Sequence, residues 1–148
     1  GIRYEWTYML DTFNNEIISS HISNIPGDSQ TYFSCLKDLI EKAKGKTDPV
    51  VLHTDQGSVY SSQAFYNAHK DYTIIRSMSR IATPTDNPII ESKNGWLKKE
   101  MYLDFNQEDY ETVEDYINNI IEDHNNYRPS YALNYKTPIE YRTQLGFN

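Results

Sequence analysis

The sequence predicts an α/β fold, a mixed sheet flanked by helices, in a chain of 148 residues. Two runs rich in β-branched and aromatic residues, at 2–10 and 16–23, are separated by a short polar turn and indicate a hairpin. A helical pattern and two further strand-like runs then alternate, and the last part of the chain is patterned for helices. A hairpin followed by alternating elements favours a mixed sheet with helices packed on it.

Turn residues divide the first part of the chain into elements. Residues 11–15 form the turn of the hairpin, because Asn tolerates left-handed backbone. The Pro-Gly-Asp sequence at 26–28 breaks the second strand. A helix over about residues 29–44 follows, with apolar side chains at helical spacing, and Gly45 ends it.

A second strand region leads to the first candidate site residue. Val50–Leu52 is a short, continuous apolar run, which is typical of a buried central strand. Asp55 follows at the C-terminal end of this strand, where ligands bind in open α/β sheets. Ser61 or Ser62 begins a short helix, and Tyr72–Met78 is predicted as another strand.

Three helices are predicted after these strands. The pair Asn87-Pro88 is a strong helix start, with Asn as the N-cap and Pro at the first helical position. At about 100° per residue, Glu91 and Lys98 share one side of this helix, opposite its main apolar arc. An apolar stripe over residues 110–124 predicts the next helix, and a capping box at residues 137–140 begins the last one.

Composition narrows the class of protein. The length favours one domain, covering residues 1–148, with residues 108–148 as its C-terminal helical part. The single Cys35 excludes an internal disulfide framework and a cysteine zinc site, and suits a reducing cytoplasm. No apolar run approaches the roughly 20 residues of a membrane span, and no signal peptide opens the chain. A net charge of −7 is wrong for a stand-alone nucleic-acid binder.

Asp55 and Glu91 are the candidate metal ligands. The first follows a strand, the second lies in the first turn of a helix, and 35 residues separate them. Carboxylates so placed can converge on a divalent metal, and Mg²⁺ takes one or two carboxylates together with substrate phosphates. The alternative for Asp55 is a turn residue that stabilises the bend at Gly57. The alternative for Glu91 is an acid favoured by the helix dipole.

Five other polar residues have two interpretations each. Lys98 is either a phosphate contact or a solvated lysine. His53 precedes Asp55, and we expect strand alternation to point it to the other face, as a packed core histidine. Asp11 is expected to be an ordinary hairpin-turn residue rather than a substitute metal ligand. His124 is predicted to lie in the core, and Arg128 is predicted to cap a helix C-terminus rather than contact DNA.

Four sequence blocks resemble those of insertion-sequence transposases with a retroviral-integrase-like core. They occur in the order of that family and together cover essentially the whole chain. They are Leu10–Phe13, which resembles "VIDxFSR"; His53–Tyr60, which resembles "HSDxGxxY"; Ser77–Arg80 followed by Asp86–Glu91, which resembles "SMSR…DNxxxES"; and Asn126–Pro129 with Tyr135–Pro138, which resembles "NxxRPHxALxxxTP".

The resemblance implies an RNase H-like fold with a five-stranded mixed sheet and a triad of two Asp and one Glu. It implies that Asp55 is the second acid and Glu91 the third, holding two Mg²⁺ or Mn²⁺ ions. Such a pair of metals activates a water or a 3′-hydroxyl for cleavage and strand transfer of DNA. The partners it implies are transposon-end and target DNA, a possible second copy of the chain, and no membrane. The location it implies is the bacterial cytoplasm, associated with the nucleoid.

The family pattern also leads us to expect an N-terminal truncation. The first strand with its triad Asp, and the DNA-binding helix-turn-helix segments, precede the hairpin in the family and are missing from this sequence. That absence accounts for the acidic charge, and it predicts a fragment that is inactive alone. Two rival functions remain open: a non-catalytic DNA- or self-binding remnant of a transposase, and a structure-selective nuclease on the same fold.

Overall fold

The computed structural model describes residues 4–79, 90, 94 and 107–147. The element order agrees with the prediction from the sequence. The elements are β1 (Glu5–Asp11), β2 (Glu16–Ser23), α1 (Gln30–Ala43), β3 (Val50–Thr54), α2 (Gln63–His69), β4 (Ile74–Met78), α3 (Val113–Tyr127) and α4 (Pro138–Gln144), with short 3₁₀ turns at Gln107–Asp109 and Tyr131–Leu133. Of the helix predicted to begin at Asn87, the structure describes Ile90 and Asn94, both in helical conformation.

The described strands pair in two ways. β1 pairs with β2, and four residues connect them, so the pair is an antiparallel hairpin, because parallel strands need a much longer crossover. β3 pairs in parallel with β4, in a register that places Val50 beside Ile74 and Thr54 beside Met78. The segment containing α2 supplies the crossover between these parallel strands. The predicted α/β class with mixed strand pairing is therefore confirmed. The described part of the chain contains two sheets of two strands each.

The chain divides into two compact units. One comprises Gly1–Thr7 and His21–Ser92, and the other comprises Tyr8–Ser20 and Lys93–Asn148. The hairpin strands thus contribute to both units. The interpretation of residues 1–148 as one domain, with 108–148 as its C-terminal helical part, stays a prediction.

The core of the first unit lies on the inner face of α1. The Thr7 and Thr31 hydroxyls are 2.8 Å apart, and the Cys35 thiol donates to the Thr7 carbonyl at 3.4 Å. Cys35 is therefore a buried structural thiol. The buried residues of α1 are Thr31, Cys35, Leu36, Leu39 and Ala43.

β3 is a one-sided strand rather than the fully buried strand that its apolar run predicts. Leu52 and Thr54 are buried, whereas Val51 and His53 are exposed. This alternation is typical of a sheet with one packed face. The prediction of a buried central strand at Val50–Leu52 was wrong, because exposed Val residues carry the same sequence signal as buried ones.

The hairpin turn of the second unit follows the prediction from its Asn residues. Asn15 has a φ of 62°, the left-handed backbone that Asn tolerates. The fully buried Asn14 side chain accepts from the Glu16 N–H at 3.2 Å and donates to the Pro138 carbonyl at 3.1 Å. The turn is thus tied to the start of α4 by an amide whose two ends are both bonded.

α3 packs an apolar stripe in the second unit and carries polar residues that bond the hairpin. Ile117 and Ile120 are buried, as the helical spacing predicts. His124 is buried too, and its Nε2 lies 2.8 Å from the Asn15 carbonyl, which confirms it as a core residue. The Asn125 amide accepts from the Ile17 N–H at 2.9 Å and donates to the Ile17 carbonyl at 3.0 Å.

Helix caps are where the sequence signals suggest. The side chains of Ser62, Thr112 and Thr137 each accept a hydrogen bond from a backbone N–H in the first turn. Thr137 and Glu140 form the predicted capping box at the start of α4. No described helix combines the length and the apolar character needed to cross a lipid bilayer.

Candidate functional site

Asp55 lies in a tight turn that directly follows β3. The Gly57 N–H donates to Asp55 Oδ1 at 2.7 Å, so the carboxylate folds back over its own backbone. A Cβ at position 57 would stand 2.9 Å from Asp55 Oδ1, closer than such atoms approach in proteins. Gly57 is therefore needed for the close approach of the carboxylate. This contact is the turn role given as the alternative for Asp55, and its role as a metal ligand stays a prediction.

The next turn connects Asp55 to α2. Ser61 donates to the Gly57 carbonyl through both its N–H and its hydroxyl, each at 3.0 Å. Ser62 then caps α2 by accepting from the Phe65 N–H at 3.1 Å. Because both serines are bonded, the backbone between the Asp55 turn and α2 is held by local hydrogen bonds.

Two tyrosines, Tyr32 and Tyr60, lie close enough to Asp55 for its charge to affect their pKa values. Tyr60 is the last residue of the His53–Tyr60 block, but sequence reasoning assigned no role to either tyrosine. The Tyr32 and Tyr60 rings meet edge to face with centroids 4.9 Å apart, and Tyr60 also contacts the Phe65 ring at 5.4 Å. Burial raises the pKa of Tyr60 far above its usual value, and the neighbouring Tyr32 and the Asp55 charge raise it further. Burial, with the charges of Glu5 and Asp55, likewise raises the pKa of Tyr32. The Asp55 charge thus acts on a partly buried aromatic pair.

His53 lies on the exposed side of β3, so the expectation of a packed core histidine was wrong. His53 shares the exposed face of β3 with Val51, because strand residues two apart lie on the same face. The His53 ring is held at both nitrogens, with Nδ1 2.8 Å from the Ser77 hydroxyl and Nε2 2.9 Å from the Ser79 hydroxyl. These contacts join the ends of β3 and β4 beside Asp55.

The other predicted residues have mixed outcomes. Glu91 and Lys98 lie outside the described residues, so their proposed roles stay predictions. Asp11 accepts from the Phe13 N–H at 2.9 Å through Oδ1, the turn role expected for it. Arg128 is the C-cap residue of α3, as predicted, and its side chain also donates to Asp123 at 2.6 Å.

Asp55 is the carboxylate of the candidate site that the structure describes. Within the part of the chain that is described, no three His, Cys, Asp or Glu side chains lie close enough together to hold a metal ion. Asn94, which the sequence places on the same helix face as Glu91 and Lys98, accepts a hydrogen bond from the Tyr8 hydroxyl.

Family comparison identifies the class of protein. The chain matches the integrase core domain family over residues 3–84, and a second description of the integrase core domain over residues 72–138. The chain therefore belongs to the integrase core domain family.

Bacterial relatives of the chain include transposases of insertion sequence elements. The chain is 34% identical over 139 residues to the putative transposase InsK of insertion sequence element IS150 from Escherichia coli, covering 92% of this chain and 47% of that protein. It is 33% identical over 134 residues to an uncharacterized transposase-like protein of Haemophilus influenzae, covering 90% of this chain and 61% of that protein. The chain thus spans about half the length of the relatives it matches.

Solved structures show the same fold. The chain superposes on a chain of the simian T-cell lymphotropic virus intasome, solved in complex with PP2A regulatory subunit B56 gamma, with a TM-score of 0.76 at 22% identity, covering 93% of this chain and 48% of that chain. It superposes on the catalytic core domain of BIV integrase with a TM-score of 0.69 at 18% identity, covering 96% of this chain and 93% of that chain. The RNase H-like fold implied by the motifs is therefore confirmed.

Proposed function

We propose that this chain is the catalytic core segment of an insertion-sequence transposase that cleaves DNA at transposon ends and joins those ends to target DNA. The observation that carries the proposal is the Asp55 turn. It presents a carboxylate at the carboxyl end of β3, in a chain of the integrase core family whose relatives are transposases. Transposon-end and target DNA are the proposed substrates, and a second copy of the chain is a possible partner in the bacterial cytoplasm.

The proposed metal ligands are Asp55 and Glu91. Asp55 fits Mg²⁺ because it is an exposed oxygen donor, the class of ligand that Mg²⁺ prefers. The Gly57 N–H holds Oδ1 and so orients the carboxylate before any ion arrives. A related fold, the HTLV-2 integrase catalytic core, has been solved in complex with magnesium. When bound, Mg²⁺ would supply charge neutralisation at the reacting phosphate and a more acidic attacking hydroxyl.

The chain's own side chains have proposed supporting roles. His53, fixed by Ser77 and Ser79, holds the ends of β3 and β4 together next to Asp55. Lys98 is proposed to contact a DNA phosphate, because a lysine positions the backbone without reading sequence. Residues 1–148 alone are proposed to bind metal weakly and to lack strand transfer, because Asp55 and Glu91 are two carboxylates where the family pattern has a triad.

The test uses the longest natural protein that contains this chain, with labelled transposon-end DNA and Mg²⁺. Asp55→Asn and Glu91→Gln should each abolish end cleavage and strand transfer, because each removes a proposed metal ligand. Asp11→Asn is the matched control. Its turn bond to the Phe13 N–H needs only an acceptor oxygen, which Asn retains.

Three outcomes would contradict the proposal. Activity that survives Asp55→Asn or Glu91→Gln would remove these residues from the metal site. Cleavage of DNA without any requirement for the end sequence would favour a structure-selective nuclease. End binding without cleavage at any metal concentration would favour a non-catalytic transposase remnant.

A further inference from the structure

Three exposed tyrosines lie at or shortly after the end of α3 in sequence, and the proposed catalytic site does not use them. Tyr127, Tyr131 and Tyr135 are 70%, 81% and 72% exposed. The rings of Tyr131 and Tyr135 contact each other nearly perpendicularly, with centroids 5.6 Å apart. We call these three side chains the tyrosine platform. Rings this exposed contribute little to the core, so their role should be sought outside it.

The loop that carries the platform is held by its own hydrogen bonds. The Ser130 N–H donates to the Lys136 carbonyl at 3.0 Å, and the Tyr135 N–H donates to the Ser130 carbonyl at 2.8 Å. Leu133, between the two tyrosines of the loop, is buried and anchors it to the second unit. The loop therefore presents Tyr131 and Tyr135 in a fixed position, which lowers the entropy that a ligand must remove on binding.

The backbone of the loop is in an unusual conformation at one platform residue. Asn134 and Tyr135 have φ values of 55° and 62°, in the left-handed region. Asn adopts this conformation readily, but a bulky aromatic residue does so seldom. The hydrogen bonds of the loop hold Tyr135 in this conformation, and its exposed side chain gains little from packing there. An uncommon backbone conformation at an exposed residue is a reason to look for function.

The charge around the platform differs from that of the whole chain. Residues 126–136 contain Arg128 and Lys136 and no Asp or Glu, in a chain of net charge −7. Arg128 shares its charge with Asp123, at 2.6 Å. The platform is therefore mildly basic, and contacts with a polyanion there would depend on ring stacking more than on charge.

We propose that the tyrosine platform binds unpaired nucleic acid by stacking bases on Tyr131 and Tyr135, with Tyr127 as a third ring. Exposed aromatic rings beside a few cations are the arrangement that binds single strands without sequence preference, because every base has a flat face. A duplex hides those faces, so the platform selects single strands over duplex. A second copy of the chain is the less favoured occupant, because the loop's tyrosines have polar sequence neighbours, Ser130, Asn134 and Lys136, rather than apolar ones. The inference deepens the proposed DNA chemistry by naming the form of DNA bound.

The test measures binding of residues 1–148 to a labelled oligothymidylate of about 16 nucleotides by fluorescence anisotropy, in EDTA. Each lost stacked base should weaken binding by about 5- to 150-fold, so Tyr131→Ala and Tyr135→Ala should each show a loss in this range. Tyr131→Phe should bind like the native chain, because it retains the ring. The matched control is Tyr72→Ala, which removes a 49% exposed tyrosine in the other unit and should leave binding unchanged.

Salt and duplex competitors distinguish stacking from general charge attraction. With two cations, the slope of log K against log salt should be no steeper than about −1.4 between about 50 and 200 mM. A steeper slope, equal affinity for duplex, or an equal loss in Tyr72→Ala would overturn the proposal. So would an unchanged affinity in Tyr131→Ala and Tyr135→Ala, or a dimer in sedimentation that these variants abolish.

The result of the binding test can be distinguished from the result of the test of the proposed catalytic function. The binding assay contains no metal, and Asp55→Asn should bind oligothymidylate as the native chain does. Loss of oligothymidylate binding with intact end cleavage would overturn the platform alone. Retained binding with cleavage that is indifferent to Asp55→Asn would overturn the catalytic assignment alone.

Discussion

Asn125 on α3 bonds the backbone of Ile17 in β2 through both ends of its side-chain amide. The Ile17 N–H donates to Oδ1 at 2.9 Å, and Nδ2 donates to the Ile17 carbonyl at 3.0 Å. A residue's N–H and C=O point to the same side of a strand, so the amide acts on β2 as a neighbouring strand would. Asn125→Ala removes both bonds and leaves two backbone groups of the buried Ile17 without these partners.

The magnitude follows from these two bonds. Each contributes about 1 kcal/mol net, and each backbone group left buried without a partner costs about 1–3 kcal/mol. Asn125 is only half-buried, so water reaches part of the vacated space, and the lower end of the range applies. Asn125→Ala should therefore lower the free energy of unfolding by about 2 kcal/mol, or Tm by about 4–8 °C for a chain of this size.

Thermal unfolding followed by circular dichroism measures this effect, with Asn126→Ala as the matched control. Asn126 is the next residue of the same helix, is exposed, and donates to the Glu122 carbonyl within α3. Both substitutions gain the same helix propensity of Ala over Asn. The difference between the two variants therefore isolates the bonds to Ile17. Equal Tm values for Asn125→Ala and Asn126→Ala would refute the reasoning.

Two further predictions concern the surroundings of Asp55. Burial and nearby charge raise the pKa of Tyr60 in the folded chain. Above about pH 10 the unfolded chain therefore loses the Tyr60 proton while the folded chain keeps it. The contribution of Tyr60 to the free energy of unfolding then falls by about 1.4 kcal/mol per pH unit. Tyr60→Phe should remove that contribution and make the decline shallower, as measured by urea unfolding from about pH 8 to pH 11. Gly57→Ala would place a Cβ 2.9 Å from Asp55 Oδ1, so end cleavage by the natural protein should fall by up to about 100-fold.

Each of these two predictions has one result that would contradict it. An alkaline decline as steep in Tyr60→Phe as in the native chain would mean that Tyr60 ionises normally in the folded state. Full cleavage activity in Gly57→Ala, with unchanged circular dichroism, would mean that the observed position of the Asp55 carboxylate is not the one used in the reaction.

Local chemistry in the sequence was enough to locate most elements of this chain. Some features involve only residues close together in sequence, so they can be predicted without knowing the fold. They are the left-handed Asn15, the capping box of Thr137 and Glu140, and the Ser62 cap. The position of Asp55 directly after β3 was likewise predicted correctly, because strand ends follow from the apolar run and the turn residues.

Pairings between distant residues could not be read from those patterns. Asn125 and Asn126 look alike in sequence, yet one bonds Ile17 across more than 100 residues of chain and the other bonds its own helix. A side chain's partner depends on which groups the packed chain brings within about 3 Å, and short-range propensity does not encode that.

In the candidate site, too, some features could be predicted from the sequence and others depended on the tertiary structure. The sequence pointed to Asp55 and Glu91 and to a turn at Gly57, but the aromatic pair of Tyr32 and Tyr60 emerged from the folded chain. Tyr32 comes from α1 and Tyr60 from the turn before α2, so no spacing along the chain links them. Their meeting beside Asp55 is a consequence of how α1 and α2 pack in the first unit, where burial makes both rings resist ionisation.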